Sequence, residues 1–232
     1  MGIVSAVIIR VGSGKEIVSA FVNAFLLVYV ALFPIVNPIG GAPIFLGLTL
    51  HCNERERDAL ALRVARNSLF LLVGSLLIGS YVLEFFGITL PIVRVAGGLV
   101  VAATGWNLLQ AGNEGNQERT DHQPVKPTDA FYPLTMPITV GPGSIAVAIT
   151  LGSQRPRAAD LIQLGILGAM SVAGLFAIAA TIYICYRFAE GTVGALGEAG
   201  TNVLVRLSAF ILLCIGIEII WNGGSTLLHL TS

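Results

Sequence analysis

Charge is what this sequence has least of. Only 11% of its 232 residues are Asp, Glu, Lys or Arg, against about 25% in an ordinary soluble domain. Hydrophobic residues make up 55% of the chain, and the mean hydropathy is +0.83. Such a chain cannot cover a water-facing surface, so lipid must be its solvent. The formal net charge is zero, which argues against nucleic acid as a partner. Cysteine is also scarce: Cys52, Cys185 and Cys214 are widely spaced and odd in number. They read as small hydrophobes, not as a disulfide frame or metal set. His51, His122 and His229 have no metal-ligand spacing, and Asp58, Asp121, Asp129 and Asp160 fall in loops or at segment ends. No HExxH or GxSxG sequence is present. Gly12-Ser13-Gly14-Lys15 is not a phosphate loop, because Ile9 stands at its first glycine and Glu16 at its Ser/Thr. In the N-terminal tail the charges follow a short apolar run, the reverse of a cleaved signal peptide. Neither an enzyme nor a cofactor is expected.

What the chain has is length in apolar segments. A helix crosses a bilayer with about 20 apolar residues, and six stretches qualify: 22–50, 60–86, 91–110, 130–151, 161–188 and 203–222. The linker 113–129 is the one long polar stretch between them. The expected fold class is an all-α polytopic membrane protein, one membrane domain over 1–232. Its first three-helix repeat spans 17–112 and its second, inverted, spans 130–224.

Two of the segments are broken by proline and glycine, one in each half. The first reads Phe33-Pro34-Ile35-Val36-Asn37-Pro38-Ile39-Gly40-Gly41, the second Met136-Pro137-Ile138-Thr139-Val140-Gly141-Pro142-Gly143-Ser144. In lipid a helix must satisfy its own backbone, so a break survives only where it is buried or lines a cavity. Paired breaks in corresponding positions point to a transporter's binding site. Asn is a favoured N-cap and proline is tolerated at the first helical position, so Asn37-Pro38 starts a half-helix, and Gly141-Pro142 starts its twin. Free N–H groups at such ends attract a carboxylate, and the unwound carbonyls can accept from an ammonium group. Asn37, Thr135, Thr139 and Ser144 add side-chain oxygens. Gly40, Gly41 and Gly143 allow close backbone approach. The plainer alternative is that the prolines only kink packed helices, since Gly and Pro are frequent in membrane helices.

The third and sixth segments align without a gap: Val93-Arg94-Val95-Ala96 with Val205-Arg206-Leu207-Ser208, then Gln110-Ala111-Gly112 with Asn222-Gly223-Gly224. A repeat of three crossings is inserted upside down relative to its twin. Arg55, Arg57, Arg63, Arg66, Arg119, Lys126, Arg187 and Arg206 lie on one face, and Arg10, Lys15, Arg94, Arg155 and Arg157 on the other. The excess places the linker in the cytoplasm and both termini outside. Glu218 is a carboxylate inside the sixth segment, about one turn from its expected end, and intramembrane carboxylates are functional by default. It is the candidate for coupling to H+ or Na+. Its alternative is an interfacial residue beside Trp221.

At Asn37-Pro38, Phe45-Leu46-Gly47-Leu48, Arg94-Val95-Ala96-Gly97-Gly98-Leu99, Pro133-Leu134-Thr135-Met136-Pro137, Gly141-Pro142-Gly143-Ser144-Ile145-Ala146 and Asn222-Gly223, the chain resembles the MarC family of integral membrane proteins. That family includes SnatA-type neutral amino-acid transporters. The resemblance implies six membrane helices, a prokaryotic inner membrane, and a small neutral amino acid such as glycine or alanine as substrate. The family often has Gln where this chain has Glu218. Two rivals stand beside that expectation: a passive facilitator or exporter of another small polar solute, and a non-transporting membrane scaffold.

Overall fold

The computed structural model describes residues 14–111, 130–153 and 161–231. The linker 113–129 and the termini invoked for orientation lie outside the described residues. The elements are α1 (Gly14–Val36), α2 (Pro38–Leu48), α3 (Glu54–Phe85), α4 (Leu90–Ala111), a wide-turned segment Ala130–Thr139, α5 (Pro142–Ser153), α6 (Leu161–Arg187) and α7 (Ala189–Thr231). Among the described residues, four helices are long and apolar enough to cross a membrane. Two further pairs pass the same test only when joined: α1 with α2, bent by 41°, and Ala130–Thr139 with α5, bent by 71°. Counting each bent pair as one span gives six.

Local signals explain the helix ends. α3 begins earlier than its apolar run because Asn53 and Glu56 form a capping box, each side chain accepting from the other's backbone N–H at 2.9 and 3.0 Å. It stops at Gly87, whose φ of 67° suits glycine, with Ile88 N–H donating back to the Leu83 carbonyl at 2.9 Å. The sixth segment is longer at both ends than its hydropathy implied. α7 opens at Ala189, turns at Gly197 (φ 66°, ψ 179°) and runs to Thr231. The turn uses a backbone region essentially reserved for glycine.

Contacts recur between matched elements of the chain. The α1–α2 pair lies on α6 as the other broken pair lies on α3, α3 meets α6, and α4 meets α7. The last contact is antiparallel. A Cβ on Gly98 would come within 2.8 Å of the Gly216 carbonyl oxygen, one on Gly105 within 2.8 Å of the Ala209 oxygen, and one on Gly223 within 2.9 Å of the Pro91 oxygen. Lipid gives helices no hydrophobic drive to associate, so small residues that admit close backbones hold them by dispersion. The buried core runs through Val28, Leu32, Phe45, Leu72, Leu134, Ile178, Ile182 and Tyr186. It lies between the broken pairs and the α3–α6 contact. Large apolar side chains such as Phe70, Phe85, Phe176, Val203 and Trp221 stay exposed, as a lipid-facing surface requires.

Candidate functional site

At the first break the chain leaves α1 through Asn37, the one described non-glycine residue with positive φ (47°). Asn tolerates this left-handed conformation because its short side chain bonds locally. Its Oδ1 accepts from Gly40 N–H at 3.1 Å, which assigns the oxygen to the cap and leaves the Nδ2 group without a partner among the described residues. Little else is open here. Asn37 N–H still donates to the Phe33 carbonyl, Gly41 N–H donates to the Asn37 carbonyl, and Pro38 has no N–H. Ile39 N–H is at most the one free donor. The row of free donors expected at this end is therefore absent, because Asn37 caps its own helix. Gly40 has to be glycine-sized, since a Cβ there would press on the Asn37 carboxamide.

The second break is built differently. Tyr132 and Met136 each precede a proline and take extended backbone (φ −125°, ψ 128° and φ −120°, ψ 121°), as the proline ring demands of its neighbour. Two four-residue units result, each closed by a threonine. Thr135 Oγ1 donates to the Ala130 carbonyl and Thr139 Oγ1 to the Leu134 carbonyl, both at 2.7 Å. α5 then starts at Pro142 with no side-chain cap on its backbone donors. Ser144 Oγ donates to the Gly141 carbonyl at 2.9 Å, and Ile145 N–H to the same carbonyl at 3.2 Å. The N–H groups of Gly143 and Ser144 have no partner among the described residues, and the α5 dipole stands behind them.

Both breaks face one cavity of about 130 Å³. Asn37, Gly40 and Gly41 line it from the first half; Thr139, Gly141, Pro142, Gly143 and Ser144 line it from the second. Pro142 brings no N–H to the Ile138 carbonyl, and Gly40 N–H is diverted from the Val36 carbonyl to Asn37 Oδ1. Both Val36 and Ile138 line the cavity, so acceptors without helical partners lie beside the open donors. No ionisable side chain is in the lining.

Ten residues were expected at this site from sequence. Eight meet at the cavity, and two do not. Pro38 is buried behind Asn37, and Thr135 is fully buried with its hydroxyl spent on Ala130. Glu218 is also outside it: it is exposed on α7 and accepts from Asn222 Nδ2 at 3.0 Å. It lies deeper than expected, because the apolar span runs on to Leu228, about 15 Å further along the helix. No residue pattern marked the remaining wall. Val100, Val101, Thr104 and Leu108 of α4 and Leu212 of α7 close the cavity. Residues 100, 104 and 108 share one helical stripe, a pattern that means something only once α5 is known to dock there.

The fold and its cavity define a class: a polytopic helical membrane protein with two broken spans meeting around a small, uncharged polar cavity. The sequence profile described as MarC family integral membrane protein matches residues 22–228, and the chain belongs to that family. The UPF0056 inner membrane protein MarC of Salmonella typhimurium is 31% identical over 201 residues, covering 84% of this chain and 90% of that protein. The UPF0056 membrane protein MJ1677 of Methanocaldococcus jannaschii is 29% identical over 203 residues, covering 86% and 95%. A UPF0056 membrane protein of Buchnera aphidicola is 29% identical over 211 residues, covering 89% and 96%. No solved structure matches this chain. The chain is a multi-pass inner-membrane protein.

Proposed function

We propose that this protein is a secondary transporter of small neutral amino acids, held as zwitterions between the two breaks. One observation carries the reading: Gly143 and Ser144, whose N–H groups have no partner among the described residues, line the same cavity as Val36 and Ile138, whose carbonyls lack their helical partners. The donors, with Asn37 Nδ2, suit a carboxylate. The Val36 and Ile138 carbonyls suit an ammonium group. An uncharged lining matches a ligand of zero net charge. Size sets the side chain: a protein cavity of ~150 Å³ holds benzene, so about 130 Å³ fits glycine or alanine and excludes leucine or phenylalanine. Glu218 is the candidate for coupling to a proton or sodium gradient, with the linker 113–129 in the cytoplasm. The test is ligand-induced thermal stabilisation of the purified protein. Glycine and alanine raise the unfolding midpoint in a saturable way, and leucine and phenylalanine do not. Equal shifts from all four, or none, defeat the substrate assignment.

A further inference from the structure

We propose that Tyr186 is a positioning residue that ties the two breaks together and holds the cavity at its working width. Tyr186 belongs to α6 and lies outside the cavity lining. It is fully buried, and its ring and its hydroxyl meet different parts of the site. Its ring stacks on Phe45 of α2 with centroids 4.5 Å apart and planes 16° apart, so it grips the half-helix that follows the first break. Its hydroxyl lies 2.9 Å from Thr139 Oγ1 at the second break. Proton positions follow from valence. Thr139 has one O–H, which donates to the Leu134 carbonyl; Tyr186 must therefore donate to Thr139. The chain Tyr186 to Thr139 to Leu134 runs one way and ends on backbone of the second break.

Gly41 completes the arrangement. A Cβ there would come within 2.8 Å of the Tyr186 hydroxyl oxygen, so this glycine leaves room for the tie at a position that also lines the cavity. The phenol thus sits between the first break, through Gly41 and Phe45, and the second, through Thr139. The hydroxyl has one hydrogen-bond partner, Thr139; the ring and the facing glycine add the first break to it. Stacked ring, directed hydrogen bond and matching glycine are drawn from both halves of the chain.

The effect on transport rests on the function proposed above; the tie itself does not. The test compares wild type with Tyr186→Phe, which keeps the stack on Phe45 and removes only the hydroxyl. Hydrogen–deuterium exchange of the full-length protein is followed in peptides spanning 37–48 and 130–141. There Gly41 N–H and Val140 N–H report on the breaks through their bonds to the Asn37 and Thr135 carbonyls. Exchange quickens in both peptides while the rest of the chain exchanges as in wild type, and the unfolding midpoint falls only by what one buried hydrogen bond is worth. Uptake in proteoliposomes shows KM for alanine raised by roughly three- to ten-fold, the worth of one hydrogen bond, with maximal rate retained. Thr139→Val added to Tyr186→Phe costs no more than Thr139→Val alone, because both remove the same link. Unchanged exchange at either break, or quickening throughout the chain, overturns the tie. Absence of uptake by wild type overturns the transport reading, and the exchange arm still decides on Tyr186.

Discussion

Gly143→Ala perturbs the site at the point where it is most tightly built. The glycine was expected to allow close backbone approach, and an added Cβ points at α4: it would overlap Val101 Cγ2 and come within 3.3 Å of the Gly97 carbonyl oxygen. Non-bonded carbons rest at ~3.5–4.0 Å. Val101 is 4% exposed, and a helical valine has one strongly preferred rotamer, so the helix has to move more than the side chain. Overpacking of this kind costs about 1–3 kcal/mol. Backing the start of α5 away by ~1 Å takes the Gly143 and Ser144 N–H groups beyond the ~2.9 Å of a good hydrogen bond. One bond to a charged ligand is worth about 1.5–3 kcal/mol, and ~1.4 kcal/mol is ten-fold in affinity. KM for alanine in proteoliposomes is measured beside the unfolding midpoint for Gly143→Ala, Val101→Ala and the double variant. Gly143→Ala raises KM by about ten-fold or more and lowers the midpoint. Val101→Ala, costing about 1–3 kcal/mol alone, relieves most of both defects in the double variant. A normal KM for Gly143→Ala, or strictly additive midpoints, refutes the reasoning.

Other perturbations separate the remaining roles. Asn37→Asp keeps the acceptor that caps Gly40 and the tolerance for positive φ, and replaces the Nδ2 donor with an oxygen; the protein folds with a near-normal midpoint and loses alanine binding by thermal shift. Asn37→Ala loses cap and donor together, costing about 1 kcal/mol for the cap besides the binding. Glu218→Gln leaves substrate binding intact, since Glu218 is outside the cavity lining, and abolishes gradient-driven accumulation while exchange persists; unchanged accumulation at every pH reduces Glu218 to an interfacial residue. A cysteine placed in the linker 113–129 and one near the C-terminus label differently with an impermeant reagent in intact cells, and equal labelling rejects the orientation. The native Cys52 adds little background. It is buried, and burial first, then the Glu56 carboxylate, hold its thiol above its ordinary pKa against the opposing Arg57, so little reactive thiolate is present.

The spans and their breaks were legible because lipid imposes simple rules on sequence. Apolar length marks a crossing, and proline removes a helical bond whatever surrounds it. Asn37-Pro38 was read correctly as a helix start, since N-cap chemistry is local. Its consequence was not legible: by accepting from Gly40, Asn37 uses up a donor that the break had been expected to offer. The two ends that look alike in sequence therefore differ, one self-capped and one open. Thr135 looked like a binding group because it puts a side-chain oxygen near a break, but the prolines two residues before each threonine turn those hydroxyls onto the segment's own carbonyls. The α4 wall and Tyr186 gave no signal. Val101 is one valine in an apolar helix, and Tyr186 one aromatic near a helix end, until tertiary packing sets them against Gly143 and Thr139. The extent of α7 was missed because glycines and polar residues at both ends lower hydropathy, although only Gly197 interrupts the helical backbone there.

The central claim is that the cavity between the breaks carries a small neutral amino acid across the membrane. Uptake of labelled glycine into proteoliposomes of the purified protein tests it most directly, run with no gradient, with a proton gradient and with a sodium gradient. The account predicts saturable uptake that unlabelled alanine competes away, that leucine and phenylalanine do not, and that Asn37→Asp abolishes. Uptake no faster than in empty liposomes, or uptake indifferent to alanine and to Asn37→Asp, contradicts it.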